Sequence, residues 1–84
     1  MTEIPVCVLC ISVFKDGDEI TILHRNQNSL LSFALPAEAT TEAIAKAVNG
    51  QMGVLNWNKP FEEVFNKQEY RKALLAVPDK IMGE

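Results

Sequence analysis

Four groups of residues have types and spacings that chemistry could use. Cys7 and Cys10 form a C-x-x-C pair, the spacing of many redox and metal-binding motifs. A structural zinc needs four ligands, and the chain offers one histidine, His24, and no further cysteine. A redox pair lowers its thiol pKa at a helix N-terminus. Here Val6, Val8, Leu9, Ile11 and Val13 surround the pair, and such residues favour a strand. Residues three apart on a strand point to opposite faces. The two thiols are therefore expected as small buried apolar groups, with no metal and no cofactor. His24 with Ser29 or Ser32 is a base–nucleophile combination that could form through space. His24 is expected at a strand end, partly exposed and not catalytic. Asp16, Asp18 and Glu19 cluster at a turn but lack the ligand count of a calcium loop. Glu62 and Glu63 form a second acidic pair, and Lys67, Arg71 and Lys72 a small basic edge. No residue is assigned a catalytic role, and the chain is expected not to be an enzyme.

Gly50-Gln51-Met52-Gly53 resembles the G-x-x-G loop with which KH domains clamp a nucleic-acid backbone. The resemblance implies a nucleic-acid binder, with Lys67, Arg71 and Lys72 as its cations. A longer stretch resembles the opening half of a Nudix hydrolase. It comprises a hairpin over residues 8–25, the segment Phe33-Ala34-Leu35-Pro36, a helix over 41–48 and Gly53. That resemblance implies a nucleotide-binding module. Ala37 and Glu38 stand where the family has paired glycines, and the helix lacks the glutamates that hold magnesium. Without such carboxylates, pyrophosphate chemistry has no electrophilic support.

These residues must be positioned by elements that one small core can hold. The chain has 84 residues, 48% of them hydrophobic and 23% charged, with a net charge of −3. A chain of this length buries about 60–65% of its unfolded surface, enough for one domain. The acidic balance argues against nucleic acid, whose phosphates need a basic surface. The longest apolar run, residues 4–14, has about half the length of a membrane-spanning helix. It also lacks the flanks of a secretory signal. A cytoplasmic chain with no membrane contact is expected.

That run reads as a strand, apolar on both faces and so central and doubly covered. Asp16-Gly17 marks a hairpin turn, with residues 19–25 as the return strand. Residues 30–35 form a third strand stopped by Pro36. Thr40-Thr41-Glu42 opens a helix that Gly50 ends. Residues 52–57 read as a short strand or a connector. Two further helices are expected over 60–65 and 67–77. The break between them has Asn66 as cap and Glu69 three residues on, and Pro78 ends the second helix. Residues 79–84 read as a loose tail. The fold class is α+β: an N-terminal hairpin in a small three- or four-stranded, mainly antiparallel sheet, packed by two or three short helices.

Residues 26–37 and 47–58 carry no charged residue and contain Leu30, Leu31, Phe33, Leu55 and Trp57. Depletion of charge with aromatic enrichment is an interface signature. The expected function is a small non-enzymatic protein-binding domain: a regulator, inhibitor or assembly subunit of the size of a phage accessory protein. Its anchors are Trp57, Phe33, Leu30, Leu31 and Phe61, because large apolar groups dominate binding energy. Its partner is a protein, and a homodimer that pairs sheets is one way to cover the apolar excess.

Overall fold

The computed structural model describes residues 2–25, 28–35 and 39–82. Seven elements follow one another: β1 (Thr2–Ile4), β2 (Ile11–Asp16), β3 (Glu19–His24), β4 (Asn28–Ala34), α1 (Thr41–Met52), α2 (Phe61–Asn66) and α3 (Gln68–Met82). The strands form one antiparallel meander in the order β1-β2-β3-β4. This is the α+β fold expected, with four strands and three helices.

The hairpin forms where the turn chemistry puts it. Gly17 takes φ +65°, a region open to glycine without steric cost, and Asp16 pairs with Glu19. The apolar run of residues 4–14 is not one strand. It reverses on itself, so that Ile4 of β1 pairs with Val13 of β2. The reversal is made by residues 5–10, where Ile11 N–H donates to the Val8 carbonyl and Cys10 adopts φ 68°. A run broken only by Pro5 and Ser12 has no regular alternation to mark a turn. The continuous strand expected there is corrected on that ground.

Covering is also one-sided. Ile4, Val13, Ile20 and Ile22 face Ile44, Val48 and Met52 of α1 and Leu74 and Val77 of α3 in one buried cluster. Each fully buried side chain of this size contributes about 1.5–3 kcal/mol. Ser12, Phe14, Thr21 and Leu23, on the other face, are only half-buried. β2 is interior in the sheet, as expected, but its second face carries no helix among the described residues.

α1 starts where the sequence puts it, α2 and α3 start one residue later than expected, and all three end later. Thr40 caps α1 by accepting from Ala43 N–H at 3.1 Å. Gly50 does not stop it, and Met52, expected in a strand or connector, is its last residue. The stop comes at Gly53, where a Cβ would collide with the Asn49 carbonyl oxygen. Between α2 and α3 the chain breaks at Lys67, which is extended (φ −74°, ψ 135°). Asn66, expected as the cap, is the last residue of α2. Pro78 lies inside α3 instead of ending it. A proline there removes one hydrogen bond, to the carbonyl four residues back. Burial of Val77 and the packing of Ile81 on the core hold the following turn. Residues 79–82, expected as tail, are therefore helical. Pro36, Ala37 and Glu38, the first half of the 26–29 loop, and residues 83–84 lie outside the described residues.

Candidate docking site at the fourth strand

β4 is the last strand of the meander, and among the described residues nothing pairs with its outer edge. None of its seven residues is charged and none is proline. Charges and prolines are the usual means by which an edge strand is protected from pairing. Its pairing with β3 slips between Ile22 and Leu23. Ile22 meets Leu31, Leu23 meets Ser29, and Leu30 is the extra residue. Such a bulge turns two consecutive side chains towards one face. Leu30 is buried, and Leu31 is half-buried against the same core.

Beside this edge runs an apolar groove of about 200 Å³, lined by Leu30, Leu31, Phe65, Arg71, Leu74 and Leu75. Leu75 is 59% exposed. Phe65 stacks on Phe61 with centroids 5.2 Å apart. The Arg71 guanidinium lies 5.2 Å from the Phe65 ring centre, and its Nε donates to the Phe65 carbonyl at 2.9 Å. Arg71 is thus fixed by its own neighbours, as the single charge on an otherwise apolar lining. Of the basic edge, Lys67 is partly neutralised. Lys67 lies 3.7 Å from Glu63, which also bonds Lys59 at 3.1 Å. The hydrogen bond from Lys59 holds the Glu63 carboxyl below its usual range, and the same bond raises Lys59.

The five expected anchors separate into three groups. Leu31 on β4 is half-buried and lines the groove, while Phe33 on β4 and Phe61 on α2 are half-buried against the core and outside the lining. Leu30 lines the groove from a buried position. Trp57 is a core residue, 1% exposed, and the reading of it as a surface anchor is corrected. Its indole N–H donates to the Met52 carbonyl at 2.7 Å, and its ring meets Tyr70 edge-on at 4.8 Å. Tyr70 in turn donates to the Asn56 carbonyl at 2.7 Å. Phe65, Leu74 and Leu75 were not expected at the site. Leu75 carried a signal, since it falls off the 70/73/74/77 stripe that α3 buries.

The groups read first for chemistry lie elsewhere. His24 is completely buried, not partly exposed, because it shares the inward face of β3 with Ile20 and Ile22. Its Nε2 lies 2.9 Å from the Trp57 carbonyl, so that nitrogen carries the proton and donates. Cys7 is exposed and Cys10 half-buried, and both are free thiols. They sit in the reversal, not on a strand. Arg25 Nη2 donates to Asn58 Oδ1 at 2.8 Å, and Arg25 N–H to the Cys10 carbonyl at 2.8 Å. The first ties the connector at Asn58, and the second the reversal at Cys10, to the end of the hairpin. Gly50 and Met52 belong to α1, and Met52 is buried. The G-x-x-G segment therefore has no open loop to clamp a backbone. Among the described residues no three His, Cys, Asp or Glu side chains gather as metal ligands, and no helix is long and apolar enough to cross a membrane. No protein family, curated protein or solved structure matches this chain.

Proposed function

We propose that this chain is a small protein-binding domain that takes another polypeptide strand along β4 and seats its apolar side chains in the adjoining groove. It acts by occupancy, as a regulator, inhibitor or assembly subunit, and not by catalysis. The observation that carries the reading is an unpaired, uncharged, seven-residue edge beside an apolar lining that includes the exposed Leu75. Strand addition supplies affinity through main-chain hydrogen bonds and selectivity through the alternate side chains that enter pockets. The fitting segment is extended, is apolar on its groove side, and lacks a cation opposite Arg71.

The test is a selection of displayed peptides on immobilised domain, run in parallel on the wild type and on Leu75→Asp. Leu75 is an exposed helix residue, so the variant keeps the fold. Enrichment of peptides with alternating apolar residues on the wild type, lost on the variant, supports the reading. Equal enrichment on both, or none on either while the domain stays single-copy, overturns it.

A further inference from the structure

We infer that the strand taken by this edge is the β4 of a second copy, related by a two-fold axis passing between Leu30 and Leu31. The inference rests on the docking reading above and names its partner. The segment Ser29-Leu30-Leu31-Ser32 reads the same in both directions. An antiparallel pair about a two-fold axis opposes each strand to its own reverse, so a palindrome meets itself.

Sequence alone does not make this register usable. Side chains alternate along a regular strand, and an axis between two adjacent residues then opposes an inward side chain to an outward one. The bulge removes that conflict. Opposed residues of a pair share a face. Asn28 therefore lies on the face of the buried His24, Ser29 on that of Leu23, Leu31 on that of Ile22, Ser32 on that of Thr21 and Phe33 on that of Ile20. Leu30, buried, lies inward as well. From Asn28 to Phe33 the faces run in, out, in, in, out, in. This order is symmetric about the junction of Leu30 and Leu31. The axis thus sets Leu30 against Leu31 of the second copy on the helix side, and Ser29 against Ser32 on the open side. Asn28 meets Phe33 at each end. The two sheets become one of eight strands.

Charge does not oppose this occupant along the strands. Like charges directly opposed destabilise a strand pair, and β4 carries no charged residue. The outward members, Ser29 and Ser32, are exposed in the single copy and free to be replaced without disturbing the core.

Light scattering over a concentration series is expected to show the mass rising from 9.4 kDa towards twice that value. Two double variants, S29K/S32K and S29E/S32E, set like charges opposite each other at both serine positions. Each alone is expected to stay single, and an equimolar mixture to recover the doubled mass. The register is read by cysteine: a mixture of S29C and S32C is expected to oxidise to a bridged pair, located by peptide mapping apart from Cys7 and Cys10. Neither variant alone is expected to bridge at that position. A single-copy mass throughout overturns the inference. So does failure of the charge variants to recover on mixing, or bridging by S29C or S32C alone as readily as by the mixture. The two readings fail separately. A single-copy protein that selects peptides through Leu75 loses only the second copy. A dimer of this register that selects equally with Leu75→Asp loses only the groove.

Discussion

Trp57 and Leu75 are both large apolar residues close to runs of little charge, yet one is 1% exposed and the other 59%. The difference lies in what surrounds each. The connector that carries Trp57 is pinned at several points. The indole bonds the Met52 carbonyl, the Trp57 carbonyl receives His24, and Tyr70 holds the Asn56 carbonyl. Each bond satisfies a polar group that burial would otherwise leave costly. Leu75 lies in the same lining as the Arg71 side chain, whose Nε bonds the Phe65 carbonyl, and is still exposed. It sits one position past the buried Leu74 on α3, where the helix turns it away from the core, beside an edge strand with unpaired backbone. The comparison teaches that absence of charge does not separate a core from a docking surface. The direction in which the assembled connector or helix turns the side chain does.

Substitutions can break or sharpen this contrast. Trp57→Ala should have the largest effect, a loss of about 3–5 kcal/mol of stability, read from urea unfolding. A loss below ~1 kcal/mol would mean that the indole is not a core element. His24→Leu keeps the bulk but removes the donor to the Trp57 carbonyl. It should cost about 1–3 kcal/mol by the same measurement and shift the tryptophan emission. Leu75→Asp should change stability by less than ~0.5 kcal/mol while removing peptide selection. A large drop in its unfolding midpoint would place Leu75 with Trp57 instead of opposite to it.

Glu63→Gln should have the smallest effect. The Glu63 carboxyl is held below its ordinary pKa by the Lys59 bond. Its contribution is therefore present above the ordinary carboxylate range and is lost as pH falls through the depressed value. Lys59, raised by the same bond, contributes below its ordinary value and loses that contribution as pH rises through the raised one. Both side chains are still more than a third exposed, so the effect should fade in high salt. Denaturation of wild type and variant across pH and salt checks this, and a difference unaffected by salt would argue against the ion pair.

Much of this fold was legible residue by residue. Asp16-Gly17 specified the hairpin because only a tight turn with positive φ at Gly17 connects two such strands. Thr40 specified the start of α1 because its hydroxyl reaches the Ala43 N–H. The opposed stripes of 61/64/65 and 70/73/74/77 specified a break, found at Lys67. For the docking surface, the uncharged stretch around Leu30, Leu31 and Phe33 was legible as composition. The groove itself was not, since Phe65, Leu74 and Leu75 come to it from two helices more than thirty residues away in the chain.

What the amino-acid order determined by itself was therefore local: turns, caps, the stripes of the helices and the palindrome in β4. Each depends on residues within a few positions of one another, where backbone sterics and short hydrogen bonds decide. Only the tertiary structure decided where the apolar run of residues 4–14 reverses, that Trp57 and His24 lie inside, and that a bulge turns Leu30 inward with Leu31. Those outcomes depend on which distant carbonyls and side chains arrive to satisfy or cover a group, and burial is a property of the assembled chain.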